Sequence, residues 1–82
     1  MIKFTRKFQF IVDLYFNQKN AIYNTIAKGQ YPLNYYSLIN ELESKSFIKI
    51  NNVKDKRLKK VSFTVRGMRL VMILKNLKRA IK

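Results

Sequence analysis

Apolar residues recur along the chain with two periods, and the change between them falls near residue 46. Before it the spacing is helical, about 3.6 residues per turn. After it, for two short runs, the spacing is that of strands. Residues 4–17 put Phe4, Phe8, Ile11, Val12, Leu14 and Tyr15 on one broad helical face, with Arg6, Gln9, Asp13 and Asn17 opposite. Phe10 falls near the polar side, an exposed position that would suit a subunit contact. Asn20 stands where it can cap a short second helix over 21–28, with Ile22 and Ile26 inward and Tyr23 beside them. Gly29 is expected to end that helix in the left-handed conformation, and Pro32 blocks its continuation. A third helix is predicted over 34–45, because Tyr35, Leu38, Ile39 and Leu42 follow i, i+3, i+4, i+7.

Beyond Ser46, Ile48 and Ile50 alternate with Lys49 and Asn51, and Val61 and Phe63 alternate with Lys60, Ser62 and Thr64. This alternation predicts the two strands of a hairpin, joined by a polar tip over 52–59. Thr64 can cap a last helix over about 65–81. On that helix Leu70, Ile73, Leu74, Leu77, Ala80 and Ile81 form one stripe, while Met68, Val71 and Met72 lie elsewhere in its first two turns. The shorter set is expected to dock on the chain itself. The longer stripe then faces a second copy, as in a coiled-coil dimer; the alternative is that it packs on the first helix. The fold class is therefore mainly α with a small β-hairpin (α+β), in the order helix, helix, helix, strand, charged tip, strand, helix.

Composition narrows the function. The 82 residues include 18 Lys and Arg against 4 Asp and Glu, for a net charge of +14. Hydrophobic residues at 48% argue against a disordered basic tail. A folded basic domain this small points to a polyanionic partner. Codon bias of a low-GC genome is the bland alternative for so much Lys, Asn, Ile, Tyr and Phe, and it points to an archaeal or other low-GC microbe, or to a virus or plasmid of one. Bias does not explain the unevenness of the charge. Residues 1–44 carry 5 basic and 3 acidic groups, whereas residues 45–82 carry 13 basic and 1 acidic.

The chain has no Cys and no His, so no ordinary zinc site and no His-activated nucleophile can be assembled. Its four carboxylates, Asp13, Glu41, Glu43 and Asp55, form no evident acid/base pair. An enzyme is not expected, nor a cofactor or a metal. The apolar runs are too short to span a membrane, and no signal peptide is recognised, so a cytoplasmic, nucleoid-associated location is expected, or the host cytoplasm for a viral protein.

Three stretches in order resemble one family. Residues 38–48, LINELESKSFI, are similar to the recognition-helix exit "LvxxLExkGlI" of the winged-helix transcription regulators of the MarR type. Asp55, Lys56 and Arg57 fall where that family has its wing motif "DxR", and residues 61–67, VSFTVRG, are similar to "vxLTxxG". Ser46 departs from the pattern, standing where the family usually has Gly. The resemblance covers about residues 34–70. It implies one winged helix-turn-helix domain over 1–82; the apolar stripe of the last helix makes 67–82 the expected dimerisation helix. At this length there is no room for the family's long terminal arms and ligand pocket, so no small-molecule ligand is expected.

The resemblance implies residue roles. Asn34, Tyr36, Ser37 and Asn40 would face the major groove of double-stranded DNA, where Asn can read adenine and hydroxyls can reach phosphates or base edges. Glu41 could accept from cytosine or simply pair with Lys45. Arg57 would enter the minor groove, steadied by Asp55, while Lys54, Lys56, Lys59 and Lys60 contact phosphates, with Arg66 and Arg69 adding to them. The helical stripe, rather than the resemblance, makes Leu70, Ile73, Leu74, Leu77 and Ile81 the expected homodimer interface. The leading expectation is a dimeric, sequence-specific regulator of transcription. The runner-up is an architectural protein that coats DNA with little sequence preference.

Overall fold

The computed structural model describes residues 4–81, without the side chains of Lys56 and Ile81. Among these residues, four helices, α1 (Arg6–Phe16), α2 (Ile22–Lys28), α3 (Tyr35–Ser44) and α4 (Val65–Ile81), frame two strands, β1 (Ile48–Ile50) and β2 (Val61–Phe63). The strands pair antiparallel with Ile48 opposite Phe63, Lys49 opposite Ser62 and Ile50 opposite Val61. Ile48 and Val61 are buried and Lys49 and Ser62 exposed, as the alternation requires. No helix among the described residues is long and apolar enough to cross a membrane.

Thr5 caps α1, its hydroxyl oxygen accepting the Phe8 N–H at 3.2 Å. The helix buries more of its circumference than one face. Phe10 is fully buried, not at the surface as its place on the helical wheel suggests. Its ring meets Tyr31 edge-on at 4.9 Å and Tyr35 at 5.0 Å. Apolar neighbours surround α1 on two sides, with β2 and α4 on one and the turn ahead of α3 on the other. Phe16 is the phenylalanine that remains outside, 61% exposed.

The turn between α2 and α3 is clamped from α1. Arg6 donates from Nη2 to the Gly29 carbonyl at 2.7 Å and the Gln30 carbonyl at 3.0 Å, and stacks on the Tyr31 ring at 4.6 Å. The Tyr31 hydroxyl donates to Asp13, which also accepts from Gln9 at 2.8 Å. Burial, with the Asp13 carboxylate beside it, pushes the Tyr31 phenol well above its ordinary pKa, so it remains a donor. Two expectations are corrected at this turn. Ala21, not Asn20, occupies the N-cap of α2, and no side chain caps it. Gly29 has φ −87°, and the left-handed residue is Gln30 at φ 54°. Glycine is needed at 29 for space, because any Cβ there would overlap the Tyr31 ring.

The exit of α3 is left-handed at Ser46, with φ 64°, a conformation that glycine would adopt at lower cost. Its carbonyl accepts from the Thr64 hydroxyl at 2.7 Å, holding the strained residue against the start of α4. Ser46→Gly is therefore expected to raise stability by about 1 kcal/mol. That would appear as a melting temperature roughly 4–8 °C higher in a calorimetric scan.

Thr64 caps α4 as expected, its hydroxyl oxygen accepting the Gly67 N–H at 3.1 Å. The helix sits in a different rotation from the expected one. Leu74, expected on the outward stripe, is 4% exposed inside the core, and Met72, expected inward, is 64% exposed. The inward line is Gly67, Val71 and Leu74, at i, i+4, i+7. Gly67 sets this rotation, because a Cβ there would overlap the Phe47 carbonyl oxygen and only hydrogen allows so close an approach. Lys78 fastens the helix to α1, donating to Gln9 at 2.6 Å.

Candidate nucleic-acid interface

Helix α3 buries Tyr35, Ile39 and Leu42 and leaves Asn34, Ser37, Asn40 and Glu41 exposed. Asn34 occupies the N-cap without making a side-chain cap bond. Tyr36 is half-buried at the flank of the helix, and burial followed by the nearby Tyr23 pushes its phenol above the ordinary value. Glu41 pairs with Lys45 at 3.1 Å. Glu43 accepts the Ile50 N–H at 3.2 Å, tying the end of α3 to β1. The hairpin is thus positioned from the helix by both covalent sequence and a side-chain bond.

The hairpin tip folds back on the molecule. Residues Lys56–Leu58 form a one-turn 3-10 helix that packs against α2, and the Ile22 N–H donates to the Lys59 carbonyl at 2.8 Å. This turn lies within the polar tip expected over 52–59. Asn51 braces the base of the tip, its side-chain oxygen accepting the Lys60 N–H.

At the tip, Asp55 accepts the Arg57 backbone N–H at 3.0 Å and faces the guanidinium, with Nε at 3.4 Å. The backbone bond first, then the side chain, holds the Asp55 carboxyl below the usual carboxylate range. Both groups are solvent-facing and the ion pair is long, so Arg57 can leave it at little cost. Lys54 and Lys60 are exposed and Lys59 is half-buried, while the Lys56 side chain lies outside the described residues. Arg66 is apart from the tip, with its guanidinium 5.1 Å over the Phe47 ring. Lys49, on the outer face of β1, enlarges the basic surface; its alternation with Ile48 and Ile50 is the signal that reveals it.

Tyr36 and Asn40 of α3 come together with Lys59 of the hairpin around one concavity of about 230 Å³, completed by Ile22, Ile39 and Ile50. A larger, shallow groove of about 740 Å³ lies between α1 and α2 and is lined by Asp13, Asn17, Asn20, Asn24 and Lys28, none of them expected at a site.

The expected dimer residues are divided by the rotation of α4. Leu74 belongs to the chain's own core, Leu70 and Leu77 are half-buried, and Ile73 is 63% exposed. The Ile81 side chain lies outside the described residues. What remains accessible is a line at residues 70, 73 and 77, with Val65, Met68 and Met72 exposed farther round the helix.

Comparison of the chain with protein-family models, curated proteins and solved structures gives no match. The functional reading therefore rests on the chain's own residues and their placement.

Proposed function

We infer that the chain is a sequence-specific double-stranded DNA-binding regulator of transcription, built as a winged helix-turn-helix and acting as a homodimer. The observation that carries this reading is the pairing of an uncovered polar helix face with a basic hairpin. Asn34, Ser37 and Asn40 stand exposed on α3, and the hairpin that follows carries Lys49, Lys54, Arg57, Lys59 and Lys60. An exposed helix of ten residues is the element a major groove admits, and amide and hydroxyl groups are suited to its base edges. The Arg6 clamp on the α2–α3 turn gives that helix a fixed attitude, which base reading needs. The hairpin cations supply the sequence-independent attraction to phosphates.

The element order and the three sequence resemblances support the winged-helix reading. The tip's return onto α2 makes the wing short, so its reach comes from the long side chains of Lys54 and Arg57. Leu70, Ile73 and Leu77 have the 3-4 spacing of a coiled-coil seam and offer a self-complementary contact about a twofold axis. Ile73→Lys is expected to convert the dimer to a monomer in sedimentation equilibrium at micromolar concentration, with the helical circular dichroism spectrum retained and a melting temperature that no longer depends on protein concentration. A wild-type chain that is monomeric there would remove the homodimer from the proposal.

Base reading is tested by Asn40→Ala. The variant should lose about 1–3 kcal/mol of discrimination at one base pair while keeping the salt dependence of binding. If affinity for every duplex falls equally, α3 is not the reader. The charge also favours a second reading, a DNA-coating protein with little sequence preference, and that protein would bind selected and random duplexes alike.

A further inference from the structure

The geometry points to the concavity between α3 and the hairpin as a recognition pocket for the 5-methyl edge of a thymine, with Ile50 as its specificity-determining wall. This rests on the DNA-binding reading above and specifies which base one part of the interface selects. The pocket joins two chemistries in one small space. Ile22 and Ile39, both almost fully buried, close its floor, and the half-buried Ile50 forms a wall. Its polar rim is Asn40, Tyr36 and Lys59.

All three rim residues offer donors. Asn40 has its amide, Lys59 its ammonium and Tyr36 its phenol hydroxyl. At about 230 Å³ the space is below the roughly 300 Å³ at which drug-sized ligand clefts begin. One of its lining residues, Asn40, is exposed on the side of α3 assigned to the groove.

Among the four bases, thymine alone presents a methyl group next to an acceptor, O4, in the major groove. An isoleucine wall suits the methyl and the donor rim suits O4. Cytosine could give an amino hydrogen to the Asn40 amide oxygen, but it would set that donor group beside the Lys59 ammonium and leave the apolar wall empty. Guanine would satisfy the donors without filling the wall. Adenine carries a donor and an acceptor but no apolar group.

The experiment uses the intact chain and the duplex it enriches from random DNA. Each thymine is replaced in turn by deoxyuridine, which removes only the methyl, and binding is followed by fluorescence anisotropy at fixed salt. One thymine per half-site should show a loss of about fourfold, the size expected for one buried methyl. Ile50→Val, which keeps the strand and its packing, should shrink that ratio toward one. Asn40→Ala, on an exposed helix position, should weaken the preference for thymine over cytosine at the same place. The pocket assignment is overturned, with DNA recognition intact, if the enriched duplex binds well but no deoxyuridine matters, or if the methyl effect persists unchanged in both variants. If no duplex is enriched, the DNA-binding reading fails and the pocket assignment falls with it.

Discussion

Phe10→Ala is expected to lower the stability of the chain by about 3–5 kcal/mol, the range for emptying a buried aromatic site. A domain of this size has a total stability of the order of 4–12 kcal/mol at 0.05–0.15 kcal/mol per residue. The variant should therefore be marginal or unfolded at 37 °C, which urea unfolding followed by circular dichroism would measure. The cost arises because Phe10 packs against both Tyr31 and Tyr35, so its removal also loosens the turn that sets α3. Phe16→Ala is the control. Its ring is largely exposed, with the Tyr15 ring at 5.3 Å and the Lys75 ammonium at 5.0 Å, so a loss of only about 1 kcal/mol is expected. A simple two-faced α1 with Phe10 at its surface would give a small effect in both variants.

The second large effect is on binding. Arg57→Ala combined with Lys54→Ala is expected to weaken binding to any duplex by the order of tenfold per residue removed. The slope of log affinity against log salt should flatten by about 0.9 for each phosphate left without its cation. Both side chains are exposed on the tip, so folding should be unaffected, and unchanged thermal melting makes the binding loss interpretable. Asp55→Ala tests the tether separately. It removes a long, solvent-facing ion pair and a turn bond, so it should alter affinity far less than the loss of Arg57 itself. An equal loss would mean that Asp55 fixes the geometry of the entire tip.

Local chemistry made some elements readable from the chain alone. The hairpin follows from alternation at 48–50 and 61–63, α3 from its apolar stripe, and the start of α4 from Thr64. The positions that could not be read depend on partners distant in sequence. Phe10 is buried because aromatic residues twenty or more positions later close over it. The rotation of α4 is set by Gly67 meeting a backbone carbonyl at Phe47, whereas hydrophobicity alone leaves several faces of that helix nearly equivalent. The tip's return onto α2 is held by packing of its 3-10 turn and by a backbone bond from Ile22 to Lys59, for which local pattern gives no signal.

The candidate site divides in the same way. The exposure of Asn34, Ser37 and Asn40, and the basic character of the hairpin, follow directly from pattern and charge. The Asp55–Arg57 contact lies within one turn, between residues two apart in the sequence. The concavity shared by Tyr36, Asn40, Ile50 and Lys59 spans two elements, so only the packed chain brings its walls together. Leu74 is the reverse case, a residue that suits a dimer seam by spacing and is used in the core instead.

The proposed function stands on a division of labour in which a largely uncharged helix reads sequence while the basic hairpin supplies affinity. Selection of bound duplexes from random DNA at two salt concentrations, followed by affinity measurement of the enriched and random duplexes, probes that division. The expected result is a palindromic site with half-sites about one helical turn apart, and a specific-to-random affinity ratio of at least about 10³ at physiological salt. Both affinities should fall steeply as salt rises. A ratio near one, with the same steep salt dependence and no enriched sequence, would contradict the proposal and leave a DNA-coating polycation.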